Sequence, residues 1–216
     1  MKAKEVFSEI GSLIEQHYKA LKFRYSKSYR WVQTKNRQFE FIISFSSGVG
    51  NTKNDISLAV DFIINDMKIK EQIVFISLWK HGHYYHVDQE NTIVQIFEKL
   101  IIQIDLLLIP FIVKLENMPK YKDEWINRGF LGDNAKYPFQ TNIVFINEYY
   151  GKKAAEICLH NYFDSLNSEA KKNFLKVYEC ERQGIPLDLN LPFELDENYF
   201  NYSIIKDSVK LQLLLK

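Results

Sequence analysis

The hydrophobic period of this chain changes twice, and those two changes constrain its fold more than any other feature. Val6, Phe7, Ile10, Leu13, Ile14, His17, Tyr18 and Leu21 recur at i, i+3, i+4 and i+7. That spacing predicts one amphipathic helix of about five turns. From Phe23 the period drops to two: Phe23, Tyr25, Tyr29 and Trp31 alternate with Arg24, Ser26, Ser28 and Arg30, and Lys27 interrupts the aromatic row. Phe39, Phe41, Ile43 and Phe45 alternate with Gln38, Glu40 and Ser44, and Ile56, Leu58, Val60, Phe62 and Ile64 with Asp55, Ser57 and Asp61. The connections Lys35–Arg37 and Ser46–Asn54 are short and turn-rich, so these segments read as an antiparallel meander with one wet face, covered on its aromatic face by the leading helix. Ile73–Trp79 is apolar apart from Ser77 and fits a further strand buried on both sides.

The helical period returns near Thr92 with Ile93, Ile96, Phe97, Leu100, Ile101, Ile104, Leu107, Leu108 and Phe111. Asp88 or Asn91 is the expected N-cap, and Pro110 is expected to end or kink this helix. Its apolar character after Leu100 predicts a central position. Beyond Met118–Pro119 the pattern stays helical: Tyr121–Arg128, Lys152–Leu166, and Ser168–Gln183 closed by Gly184, with Ile143–Tyr150 open between strand and helix. The expected fold class is therefore α+β: an α+β domain over residues 1–118, holding helix, sheet and long helix, and a helical region over residues 119–216.

Composition narrows the functional classes. Apolar residues at 46% and charged residues at 25% are ordinary globular usage, which excludes a disordered tail or a disulfide-stapled miniprotein. Leu100–Val113 is too short to span a bilayer, and no signal-like segment is expected at the start. Cys158 and Cys180 read as free thiols, so the expected compartment is the cytoplasm, with no membrane partner. The charge is uneven: residues 1–53 carry 10 Lys/Arg against 4 Asp/Glu, a net +6, and residues 54–216 carry 18 against 23, a net −5. Seven cations and no acid fall within residues 17–37. The near-neutral total argues against a dedicated nucleic-acid binder.

The order of elements resembles a known family. A helix ends in Leu21-Lys22-Phe23-Arg24, an aromatic-basic segment carries Tyr29-Arg30-Trp31, and Ile42-Ile43-Ser44-Phe45 follows; later His83–Asp88 opens a helix ending at Pro110-Phe111. Residues 5–116 thereby resemble the uncharacterised bacterial family catalogued as domain of unknown function four-three-zero-four. Lys22 stands where a Gly before Phe23 is usual, and Ser46 where a Gln is usual. The resemblance implies an α+β fold and brings no catalytic residues. Small bacterial proteins of this kind can sit beside toxin genes, which implies an immunity-type role.

Local chemistry is sparse. His81, His83 and His86 are the candidate metal ligands, but on a strand His81 and His83 share a face while His86 points away, so a solvated strand end is the preferred reading and no metal or other cofactor is expected. Gly48-Val49-Gly50 lacks the third glycine and following helix of a phosphate loop. Cys158 and His160 at i and i+2 do not face each other on a helix. Glu169 with Lys171 lies at a helix start, where an acid is favoured by the dipole. Glu40 and Asp61 form the one strand-borne carboxylate pair, with Arg30 as the cation between them.

The leading expectation is a non-enzymatic, cytoplasmic protein-binding module, immunity-protein-like, whose partner is another protein. Its contact residues are Arg24, Arg30, Glu40 and Asp61 on the polar sheet face, unless the acidic helical half covers that face. The alternatives are a hydrolase or nuclease using the strand carboxylates, and a nucleic-acid binder using the basic N-terminal third.

Overall fold

A computed structural model of the chain describes residues 2–47, 51–52, 55–78, 85–88, 92–130, 141–186 and 201–215. The fold is α+β, with a leading helix, an antiparallel sheet and a mostly helical second half. It divides into two compact units, Met1–Asn117 and Met118–Lys216.

In the first unit, α1 (Ala3–His17) buries Val6, Phe7, Ile10 and Ile14. A tight 3-10 turn, Lys19–Leu21, hands the chain to the sheet through Lys22, whose φ is +59°. Six strands follow: β1 (Arg24–Ser26), β2 (Trp31–Lys35), β3 (Phe39–Ser47), β4 (Ile56–Asp66), β5 (Glu71–Ser77) and β6 (Tyr85–Val87). β1 to β5 form an antiparallel meander, and β6 returns to pair with the start of β4. The pairing Phe41↔Ile64, Ile43↔Phe62 and Phe45↔Val60 sets the large apolar side chains on one face, because residues directly opposite in a ladder share a face. α1 covers that face, with the Phe7 ring 6.4 Å from Phe45. A Cβ on Gly11 would lie 2.2 Å from the Tyr25 ring, so only glycine allows this approach of helix to sheet.

Several expectations need correction. First, residues 23–31 are not one strand. Lys27–Arg30 form a turn closed by the Arg30 amide donating to the Ser26 carbonyl at 2.9 Å, with Arg30 at φ +57°. The turn reverses the facing: Tyr25 pairs with Val32 on the core side, whereas Trp31 pairs with Ser26 and Ser44 on the other. Second, the opposite face is not uniformly polar, because Ile42 and Ile63 pair there between Gln33 and Phe75. Third, the long helix is one-sided rather than central. Ile96, Leu100, Ile104, Leu108 and Leu115 are buried, whereas Val94, Ile102, Leu106 and Val113 are exposed.

That helix comprises α2 (Ile93–Gln103), a π-helical stretch Ile104–Leu108, and α3 (Ile109–Glu116). Its N-cap is Thr92 rather than Asp88 or Asn91: Thr92 Oγ1 accepts from the Gln95 amide, and Gln95 Oε1 accepts from the Thr92 amide at 2.8 Å. Helix continues past Pro110, which lies in the first turn of α3 directly after the wider π turn. A changed hydrogen-bond register at that point removes the need for the N–H that proline lacks. α2 meets α1 through His17 against Phe97 and through the Tyr18 hydroxyl, which donates to Asp105 Oδ1 at 2.7 Å.

The second unit is helical: α4 (Met118–Arg128), α5 (Ile143–Tyr150), α6 (Lys152–Ser165), α7 (Ser168–Gln183) and α8 (Tyr202–Lys210). The ambiguous segment at 143 is thus a helix, capped by Asn142. Trp125, Phe130, Phe145 and Tyr150 form an edge-to-face aromatic cluster, with Trp125 and Phe145 at 5.8 Å. Gly184 ends α7 at φ +65°, with the Ile185 amide donating back to the Cys180 carbonyl.

These assignments predict unequal losses in a urea titration. Phe41→Ala empties a buried site in an inner strand and should cost about 3–5 kcal/mol. Gly11→Ala should cost about 1–3 kcal/mol through forced separation of α1 from Tyr25, and much of that should return when Tyr25 is also truncated to Ala.

Candidate functional site

The sheet face opposite α1 is where the sequence places its candidate residues. Register arranges it in rows: Ser26, Trp31, Ser44, Asp61 and Ser77; Arg24, Gln33, Ile42, Ile63 and Phe75; then Lys35, Glu40, Asn65 and Gln72. Ile42 and Ser77 are buried, and Phe75 remains 39% exposed.

Glu40 and Asp61 share this face but do not meet. They are separated by four residues along the strands, about 13 Å. Glu40 Oε2 accepts from Asn65 Nδ2 at 3.0 Å, and Asp61 Oδ1 accepts from the Ser77 hydroxyl at 2.5 Å. Arg30, expected between them, lies in the β1–β2 turn and forms no ion pair with either carboxylate. Two separated carboxylates, each satisfied by a neutral donor, form a polar lattice rather than an acid–base pair.

Arg24 is partly committed elsewhere. Its guanidinium donates to Glu15 Oε1 at 2.9 Å while the Arg24 side chain stays 72% exposed. Glu15 Oε2 accepts the Tyr25 backbone amide, also at 2.9 Å. α1 thereby satisfies an outward N–H of edge strand β1. The Tyr25 amide, and secondly the Arg24 guanidinium, hold the Glu15 carboxyl below its ordinary range.

The feature that sequence reasoning misses is an aromatic pair. Tyr29, in the β1–β2 turn and 67% exposed, stacks on Trp31 at 4.6 Å and 15°. Periodicity places both in the core. Lys27 breaking the aromatic row, with Ser on either side of it, is the available sign that the strand stops there. Tyr29 and Trp31 instead flank Arg30 in the chain, with Arg24 on the same face as Trp31, whereas Lys27 lines a hollow with Glu5 and Glu9 of α1.

Other candidates contribute little. His86 is on β6, its Nδ1 3.0 Å from Asp55 Oδ1. His81 and His83, and Gly48–Gly50, lie outside the described residues. Among the described residues no group of three or more His, Cys, Asp or Glu is placed to hold a metal. Cys158 is fully buried, its thiol 3.4 Å from Thr141 Oγ1, and burial pushes it up to about 12, which suits packing rather than nucleophilic attack. No helix among the described residues is long and apolar enough to cross a membrane.

The Glu15 clamp predicts a pH dependence. A carboxyl held below its ordinary range contributes stability above that range and loses it as pH falls. Glu15→Gln should therefore lower the melting temperature near neutrality, and the gap from wild type should close as pH falls through the ordinary carboxylate range and below it. Comparison of the chain with family models, with curated proteins and with solved structures finds no match in any of the three.

Proposed function

We propose that this chain is a non-enzymatic, cytoplasmic protein-binding module of the immunity-protein kind, and that it meets its partner through the β1–β2 hairpin and the adjoining edge of the sheet face opposite α1. The observation that carries the reading is the stack of exposed Tyr29 on half-buried Trp31, beside Arg24 and Arg30. Tyr, Trp and Arg are the residue types that dominate binding energy at protein interfaces. A stacked pair on a hairpin is already ordered, so little side-chain freedom is lost when a partner arrives. The sheet behind it is pinned by nine consecutive β3–β4 pairs, which supplies a rigid base. Catalysis has less support, since the strand carboxylates are apart and the buried thiol is suppressed.

A photo-crosslinking phenylalanine analogue at Tyr29 tests this in the native cytosol. The expected result is one discrete protein adduct, absent when the same group replaces Leu175 on α7 and lost when Trp31→Ala accompanies it. Adducts of equal yield at both positions, or none at Tyr29, would overturn the proposal. Trp31→Ala should cost about 1–2 kcal/mol in urea, since the ring is half-buried.

A further inference from the structure

We propose that the partner presents an acidic surface, which the cations around the β1–β2 hairpin select; this rests on the protein-binding reading above. Arg24 is held by Glu15, but Lys19, Lys22, Lys27, Arg30, Lys35 and Arg37 are exposed and form no ion pair among the described residues. They flank the hairpin at both ends: Lys27 and Arg30 in its turn, Lys22 just before β1 and Lys35 at the end of β2. A strand of five residues separates the two groups, roughly 17 Å. Acids are present here too, with Glu40 opposite Lys35 and Glu15 on Arg24, but cations outnumber them, and an excess of one sign on a rigid edge attracts the opposite sign and rejects its own.

The backbone supplies an independent observation. Lys22 and Arg30 both adopt left-handed conformations, at φ +59° and +57°. That region is the natural place for glycine, because a Cβ is strained there. The 3-10 turn and the hairpin would close more easily with glycine at both points, yet both hold long cationic side chains. Lys70 and Gln212 hold the same conformation elsewhere, so the strain supports the assignment through the exposed charge that Lys22 and Arg30 carry at the hairpin.

Protection of the sheet edge and binding of a nucleic acid would each leave a different pattern of charge. Charges on an edge strand block edge-to-edge aggregation, but either sign serves that purpose. A nucleic acid also offers negative charge, but residues 1–117 carry 15 Lys/Arg against 13 Asp/Glu, a net +2, whereas nucleic-acid-binding domains are strongly basic. Tyr29 and Trp31 also stack on each other, which leaves no succession of free ring faces for bases.

The test titrates the full chain with poly-L-glutamate and, at matched charge, with a dT20 oligonucleotide, following the amide signals of residues 27–31. Poly-L-glutamate should shift them and bind more tightly than dT20. The Lys22→Gly/Arg30→Gly variant should weaken that binding roughly three- to ten-fold. Its melting temperature should hold or rise by about 1–3 °C, because glycine relieves the strain. Lys22→Glu/Arg30→Glu, which keeps an edge charge, should abolish binding. Tighter binding of dT20, unchanged binding by the glycine variant, or a fall of several degrees in its melting temperature would each overturn the proposal. A Tyr29 crosslink that survives the double glutamate reversal would overturn the acidic chemistry and leave protein binding standing. Loss of the crosslink in wild type with poly-L-glutamate binding intact would do the reverse.

Discussion

β4 is the element on which the first unit depends. Its eleven residues pair with β3 along nine positions on one edge, and with β5 and then β6 on the other. A one-residue slip would turn Ile56, Leu58, Val60, Phe62 and Ile64 to the opposite face and carry Ser57, Asp61 and Asn65 into the core. Burial of five large apolar side chains therefore fixes the register, and the register fixes everything on the far face. Asp61 lies opposite Ser44 and Ser77, and Glu40 lies opposite Asn65, because β4 admits no other pairing. The irregularity between Ile64 and Asn65 is confined to the β5 side, close to the turn after Asp66. There the buried Asp66 carboxylate accepts the Lys68 amide and ends the strand.

How far the fold is legible in the sequence follows from where the signals are redundant. β3 and β4 are long and strictly alternating, so their faces can be read with no other information. The limits of α7 are legible because Asn167 caps it and Gly184 stops it. β1 and β2 escape the pattern because each is short. Over nine residues, a hairpin with a four-residue turn keeps enough alternation to look like one strand, and only Lys27 disturbs it. That single misreading conceals the aromatic pair, since a parity that the turn resets assigns Tyr29 and Trp31 to the core. The carboxylate pair fails for a related reason: alternation gives the face, but not the offset along it. Pro110 is read by its usual effect on helices, and nothing in the local pattern announces a π turn.

The long helix carries a second lesson about periodicity. Its buried and exposed apolar residues together look like a helix surrounded by protein, yet Val94, Ile102, Leu106 and Val113 form an exposed row. Apolar content alone does not measure burial, since more than half of a typical folded surface is itself apolar. What separates the two sides is the helical period itself, since Val94 and Ile102 already lie off the stripe of Ile96 and Leu100 before the π stretch begins at Ile104.

Edge strand β1 bears on how a partner can be held. It is three residues long, its Tyr25 amide is already taken by Glu15, and cations stand at its flanks. Short length, an occupied donor and surrounding charge are the devices by which sheets refuse an added strand. Main-chain pairing, the commonest way for a sheet to take up a peptide, is therefore closed at this edge. Recognition at the hairpin has to come from side chains: an ordered aromatic pair for contact area, and charge for selection. The Glu15 clamp serves both ends of this arrangement. It removes the backbone donor that would invite indiscriminate pairing, and it anchors to α1 the strand from which the aromatic turn projects.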